Sequence, residues 1–497
     1  MVIKMQKSIW LKDIKTLQTN ELKKYFKTDV LIIGAGITGI STAYFLKDSN
    51  LKISVIDRSK VGFGVSALTT GKITYLQDNI YHKLEKTLGI DISKKYLKSQ
   101  QEACEILKKI IIKKKIECDY KKNDSIIFAT DDISKNKLLK EKETLEKIGV
   151  DIKEIKKLPN NYPCNYGIKI NDSAVFNSVK YIRSLAGICL KKGINIYEDT
   201  CALTVDKDEN FYIIKTNKNT IKAKYVVIAS HYPLFVIPGL IPFRTYLEKS
   251  HLVACEVDET KEFNAITNNK PTITMRYHKD EKKYFIFGSE TYNMSGNINY
   301  NKEQEKVENK FHKHFKNKII YEWSICDLTT NDNLPFIGSI NSKNPNLFIA
   351  TGYNKWGMTN GTIAAKLISD LILKKQNKYK ELFKPYRKTN ITKIKNEFVY
   401  LFNTSKIFLK TKINKNKSFY KDNVKIVNEN GQSVGIYIDE NKKEHKVHNL
   451  CPHMKCSLVF NYMEKCWDCP CHSSKFDIDG NCIKGPSVYS IKLKKGD

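Results

Sequence analysis

Apolar positions in this chain gather into short runs separated by polar turns. Residues 29–33 form one such run and residues 53–56 another, each of strand length. Between them, residues 40–46 carry a helical pattern, so the N-terminal region predicts a strand–helix–strand unit. Further on, Leu97, Ile106, Leu107 and Ile110 recur at helical spacing within residues 96–117. Residues 251–257, 271–277 and 284–288 read as strands, as do 225–230 and 347–352, the last followed by a helical pattern through Leu371. Residues 374–417 turn basic and Asn-rich, with Pro385 as punctuation. Within them Ile391, Ile394, Phe398, Leu401 and Phe402 fall at helical spacing, read as a connecting helix. A basic amphipathic helix touching a membrane is the weaker alternative. Short strands from residue 424 onward open a small β-domain.

At 497 residues the chain has room for two or three domains. No apolar run reaches the roughly 18 residues a bilayer span requires. The polar residues 1–27 lack the apolar core of a signal peptide, so the expectation is a cytoplasmic protein. The net charge of +32 invites a nucleic-acid reading. The lysine excess runs evenly alongside Asn and Ile, however, with no stripe of Arg and aromatics. A solvated basic surface is the better reading, and it could steer acidic partners. Of 13 cysteines, seven are scattered and read as reduced core residues, and six lie at or beyond Cys451.

Those late cysteines carry the sharpest chemical signal. Cys451-Pro452-His453 is followed, with fifteen residues between His453 and the next ligand candidate, by Cys469-Pro470-Cys471-His472. Each loop offers one thiolate and one imidazole. That mixture suits a two-iron cluster with sulfur ligands on one iron and nitrogen ligands on the other. A structural zinc site is the alternative, but it usually pairs Cys with Cys and His with His locally.

The N-terminal unit carries Gly34-Ala35-Gly36-Ile37-Thr38-Gly39 between its first strand and helix, and Asp57 ends its second strand. Gly34 permits a tight turn, Gly36 lets backbone approach a pyrophosphate, and Gly39 lets helix and strand close up. The helix N-terminus would face the phosphates, and Asp57 the ribose.

The C-terminal motif resembles the Rieske [2Fe–2S] proteins. The resemblance implies Cys451, His453, Cys469 and His472 as ligands and a Cys456–Cys471 disulfide joining the loops. It also implies a serine, Ser474, bonded to a bridging sulfide, and a covering loop at Gly485-Pro486-Ser487. Ser473 replaces the family's usual Gly, and Phe476 its Tyr. A missing hydroxyl implies a potential below the top of the roughly −150 to +300 mV Rieske range.

The rest of the chain resembles the D-amino-acid-oxidase-like FAD-dependent oxidoreductases. Four segments carry that resemblance: residues 62–72, 225–230, 332–338, and 347–361 with Tyr353-Asn354-Lys355-Trp356-Gly357. It implies that FAD is held by Gly34, Gly36, Ile37, Thr38, Gly39, Asp57, Arg58, Gly64, Thr69, Thr70, Ala229 and Ser230. Gly352, Lys355, Trp356, Gly357, Met358 and Thr359 would meet the flavin edge, where a helix N-terminus favours the charge of reduced flavin.

The fold class expected is therefore α/β: a Rossmann-like FAD-binding domain with an inserted α+β substrate domain, plus a C-terminal all-β Rieske domain. The boundaries are 1–375 (insertions about 91–159 and 241–324), a basic linker 376–417, and 418–497. Arg276 could grip a carboxylate or be a surface Arg on its strand, His251 could be a base but reads better as a buried, satisfied histidine, and Lys355 could add charge beside the flavin. The resemblance implies a dehydrogenase taking electrons from a small amine or amino acid to FAD, then singly to the cluster and an external acceptor. Three alternatives remain: a Rieske-type oxygenase, a flavin reductase fed through the cluster, and a non-catalytic redox sensor. A third iron, reduction of FAD by a ferredoxin-like donor, or absence of any turnover would mark each in turn.

Overall fold

The computed structural model describes residues 8–493 except 13, 233–240, 294–299, 388–418, 422, 454, 463, 471–473 and 486. The expected amphipathic helix at 391–402, Cys471, His472 and Ser473 thus lie outside the described residues.

The first strand, Phe26–Ile33, buries Val30, Leu31, Ile32 and Ile33 on both faces. A strand apolar on both sides belongs in the middle of a parallel sheet. It pairs in parallel with Thr220–Ile228 on one side and Ile53–Ile56 on the other. Phe336–Ser339, Leu347–Thr351 and Asn195–Tyr197 extend this sheet, and the Ala202–Asp208/Phe211–Thr216 hairpin hangs on Thr220–Ile228. The helices Ile37–Leu46 and Gly357–Ile372 pack together on one face. Gly39 is required there: a Cβ on it would stand 1.8 Å from the Gly34 carbonyl oxygen. Gly34 is required too, with φ +113° and Ala229 O 2.6 Å from where a Cβ would be.

A second sheet of nine strands runs in the order Ile319–Thr330, Thr245–Glu256, Lys283–Asn293, Thr274–Lys279, Phe263–Thr267, Lys121–Ala129, Tyr166–Val175, Lys72–Ile73, with Lys153–Ile155 beside Tyr166–Val175. It therefore draws on both expected insertions and also on residues 72–73 and 166–175, which the sequence reading gave to the flavin domain. The helix Ile90–Lys113 covers the expected helical stretch.

Residues 376–387, expected as linker, pack on the flavin domain. Tyr379, Leu382 and Phe383 are buried in its core. Arg387 grips both oxygens of Asp332 at 2.7 and 2.8 Å. Beyond the linker stand two antiparallel four-stranded sheets, one spanning 419–448 and the other 459–484. Their separate core holds Val447, Phe460, Trp467, Phe476 and Ile491 with Cys451 and Cys469. Among the described residues, no helix is long and apolar enough to cross a membrane.

Candidate flavin and cluster sites

The glycine turn shapes a dinucleotide cradle. Helix Ile37–Leu46 starts at Gly36 with no side-chain cap, so backbone N–H groups at its N-terminus remain for an anion. Ser66 Oγ accepts from Ile37 N at 3.1 Å. Asp57 braces the turn, its Oδ2 accepting from Ala35 N at 2.7 Å and its Oδ1 from Ser59 N at 2.8 Å. Burial raises the Asp57 pKa while these N–H donors oppose it. The second lone pair on each oxygen can still accept a ribose hydroxyl. Ala229 N donates to Ile33 O at 2.9 Å, which brings residues 229–230 beside the turn.

The helix Gly357–Ile372 begins at Trp356, also without a side-chain cap. Ahead of it Gly352, Asn354 and Lys355 all lie at positive φ, Lys355 at +73°. Left-handed backbone at a lysine is strained, and such strain gathers where position matters. A buried amide network stands behind this turn. Tyr96 donates to Gln77, and Gln77 Nε2 reaches Gln100 at 3.0 Å and Thr359 at 2.9 Å. Gln100 passes the chain to Asn360 at 2.9 Å. Nothing in the sequence pattern pointed to this network, because its members are distant polar residues without periodicity.

Between the turn and the second sheet opens a cavity of about 630 Å³. Thr69, Thr70, Lys355, Trp356, Gly357, Met358 and Thr359 line it. Gly64 starts the short 3₁₀ turn Val65–Ala67 ahead of Thr69 and has open space at its Cβ position. The sheet side of the cavity adds residues the sequence reading missed: Lys72, Tyr246, Glu248, Ser250 and Asp327. Lys355 Nζ meets Glu248 Oε2 at 3.0 Å, and Thr329 Oγ1 donates to the same oxygen at 3.2 Å. Asp327 pairs with Glu248 across the two strands. Burial pushes its carboxyl up to about 6, against the pull of Lys355. Lys72 Nζ donates to Thr274 Oγ1 at 2.6 Å and Ala265 O at 2.8 Å, and burial lowers its pKa to about 7.

Two expectations need correction, for Arg276 and Arg58, while His251 takes the buried position that is its stronger reading. Arg276 does not face the cavity; it is wholly buried behind the Thr69–Thr70 loop. Its guanidinium donates to Thr70 O (2.5 Å), Gly71 O (3.0 Å) and Phe176 O (3.1 Å), and stacks over Trp10. Trp10 in turn donates to Thr69 O at 2.6 Å, so Arg276 supports the loop from beneath. His251 lies on the strand face turned away from the cavity, bonded to Tyr292 OH at 2.8 Å. Burial drives its pKa down to about 3. Arg58 turns from the nucleotide to the C-terminal domain, donating to Ser487 O at 3.1 Å and Cys482 Sγ at 3.5 Å, and to Cys201 Sγ at 3.3 Å. In all three cases residue type alone could not say which side of a strand or turn the side chain takes.

In the C-terminal domain Cys451 and Cys469 are buried and stand outside any disulfide, and His453 is exposed. Cys451 N donates to Cys456 O at 2.9 Å and Cys469 N to Ser474 O at 2.7 Å, which folds each loop around its cysteine. Cys456 is disulfide-bonded; its expected partner Cys471 lies outside the described residues, as does the expected ligand His472. Ser474 Oγ accepts from Ser487 N at 2.9 Å. That bond ties the covering loop to the second cluster loop and leaves the Ser474 hydroxyl hydrogen to donate elsewhere. Two buried thiols and an exposed imidazole form a donor set that fits a mixed-ligand iron–sulfur cluster.

With both sites in view, the chain belongs to the FAD dependent oxidoreductase family, whose model matches residues 29–371. A Rieske [2Fe-2S] domain model matches residues 410–494. The cofactors are FAD and a Rieske-type [2Fe–2S] cluster. Over 481 residues, 95% of this chain and 94% of the relative, it is 30% identical to YhfW of Bacillus subtilis (strain 168), described as a Rieske 2Fe-2S iron-sulfur protein. Gamma-glutamylputrescine oxidoreductase of Escherichia coli (strain K12) is 23% identical over 368 residues, 71% of this chain and 85% of that one. The L-proline dehydrogenase structure from P. horikoshii shares the fold, with a TM-score of 0.61 at 18% identity, over 74% of this chain and 98% of that one. The protein is a redox-active FAD-dependent oxidoreductase with a fused Rieske domain.

Proposed function

We propose that the chain is a dehydrogenase for a small amine or amino acid, with electrons leaving reduced flavin through the Rieske cluster to an external one-electron acceptor. The observation that carries this reading is the two-sided strand Thr245–Glu256. Tyr246, Glu248, Ser250 and Leu252 line the cavity from one face, and Lys249, on the other face, meets Asp468 of the cluster domain. Side chains alternate along a strand, so one sheet separates substrate cavity from cluster domain. Bound FAD would supply hydride acceptance, and the cluster single-electron carriage.

The cavity offers charges of both signs. Asp327 and Glu248 suit a substrate ammonium, and Lys355 suits a carboxylate or the developing charge of reduced flavin. Asp327, held near 6 by burial, is ionised at neutral pH and can take the proton an ammonium must lose before hydride transfer. Two of the relatives are named for γ-glutamylputrescine and L-proline, an amine and an amino acid. His453 is exposed, which suits it to meet an external acceptor.

Anaerobic mixing of the holoprotein with pools of amines, amino acids and hydroxy acids tests the proposal. Flavin bleaching by an amine or amino acid, followed by the paramagnetic signal of the reduced cluster, is the expected result. Bleaching by hydroxy acids alone, or a cluster that stays oxidised, contradicts it.

A further inference from the structure

The two domains meet through buried charge. Lys249 and Asp468 are each 1% exposed, and Lys249 Nζ stands 3.2 Å from Asp468 Oδ2 and 4.0 Å from Glu464 Oε1. Ser324, on the neighbouring strand of the same sheet, donates to Glu464 Oε1 at 2.5 Å. Within the cluster domain Lys475 bonds Glu464 and lies 3.5 Å from Asp468 Oδ1. Asn461 Nδ2 donates to Asp468 Oδ2 at 3.1 Å. Two lysines thus face two carboxylates, one lysine coming from each domain, with buried Lys484 of the cluster domain close enough to feel them. Asp468 directly precedes the ligand Cys469. Arg58 of the flavin domain makes a second contact, holding Ser487 and Cys482 of the cluster domain.

We propose that this quartet and Arg58 are two clasps that fix the cluster domain on the back of the substrate sheet, with Lys249 the positioning residue for electron delivery to the cluster. An apolar contact of the same area would hold the domains at least as firmly, since buried ion pairs lose much of their attraction to desolvation. Charges in complementary positions add register: a rotated or shifted domain would leave Lys249 buried without a carboxylate, which is costly. The positioning half of the proposal rests on the electron route given above. Each substrate gives two electrons and two protons; the electrons cross the dock one at a time to the cluster and then to the external acceptor, and the protons pass to solvent.

The test uses full-length holoprotein carrying Lys249→Met, Lys249→Arg or Arg58→Met. Hydrogen exchange on oxidised protein, without turnover, reads the dock. Lys249→Met is expected to raise exchange in residues 245–256 and 466–468, and Lys249→Arg to restore most of the protection. Photochemical reduction of the flavin then reads delivery. Cluster reduction is expected to slow by about tenfold or more in Lys249→Met, with unchanged flavin and cluster spectra. Should Lys249→Met not fold, Ser324→Ala removes one hydrogen bond and no charge and is expected to shift both readouts the same way, less far. Unchanged exchange in both Lys249→Met and Arg58→Met overturns the dock. Raised exchange with an unchanged rate of cluster reduction overturns the positioning role. A wild-type cluster that never takes electrons from reduced flavin overturns the electron route instead, and the exchange result then stands alone.

Discussion

Asp327 and Gly39 show how much of this site rests on single atoms. Asp327 faces the cavity with its carboxyl raised to about 6 by burial, so it is protonated below that pH and ionised above. A base works only when ionised. Flavin reduction by an amine should therefore rise with pH through about 6, and kcat/KM should lose that acid limb in Asp327→Asn, with a fall of about 10²-fold at pH 8. Stopped-flow flavin bleaching across pH 5–9 measures it; an acid limb that survives the substitution assigns the proton to another group. Gly39 is a matter of space. An added Cβ would fall 1.8 Å from Gly34 O, which backbone atoms can relieve only by spreading helix and strand. Gly39→Ala should cost about 1–3 kcal/mol and lower bound FAD, read by Tm and by flavin stoichiometry. A variant with full FAD and an unchanged Tm would show that the turn can yield.

At the level of elements, the cluster loops and the flavin domain rest on different apolar cores. Cys451→Ser should lose iron and keep FAD, measured by metal analysis and flavin absorbance on the same sample; joint loss would mean the cores fold as one. Replacing Cys456 by Ser removes its disulfide and should cost about 2–4 kcal/mol of local stability. Iron should then leave at lower denaturant while the flavin transition stays in place. The elements that could be read from sequence are those whose pattern is local. The run at 29–33 extends to Phe26–Ile33, and the glycine turn sits at the start of Ile37–Leu46, because a buried parallel strand and a phosphate-facing helix each need a short, specific sequence. The strand Tyr166–Val175 has no clear local pattern, and its place in the second sheet depends on its distant partner Lys121–Ala129. His251 and Glu248 lie three residues apart on one strand, and only their opposite faces separate a buried structural histidine from a cavity carboxylate. Sequence gives the alternation but not which face meets the cavity.

For the whole molecule, the contact between domains matters more than the high net charge. The +32 excess is spread over the chain, whereas the four charges of the dock balance. Arg58 and Lys249 could not be recognised as contact residues from sequence, because their partners lie more than 200 positions away in another domain. The dock also decides how the electron route should be tested. Cutting the chain near residue 419 would expose Lys249 and the sheet face around it, so a truncated protein would report instability as well as lost transfer. Cys469→Ser in the full chain removes one expected iron ligand and leaves Asp468 and its partners in place. With substrate supplied anaerobically, this variant should bleach its flavin at the wild-type rate. It should reduce an artificial one-electron acceptor at least about tenfold more slowly, because FAD and cluster on one chain make the internal step effectively unimolecular. Oxygen should be a poor acceptor for the wild type. If the variant reduces the acceptor as fast as the wild type, electrons leave the flavin directly, and the fused domain serves structure or sensing and is not the exit route.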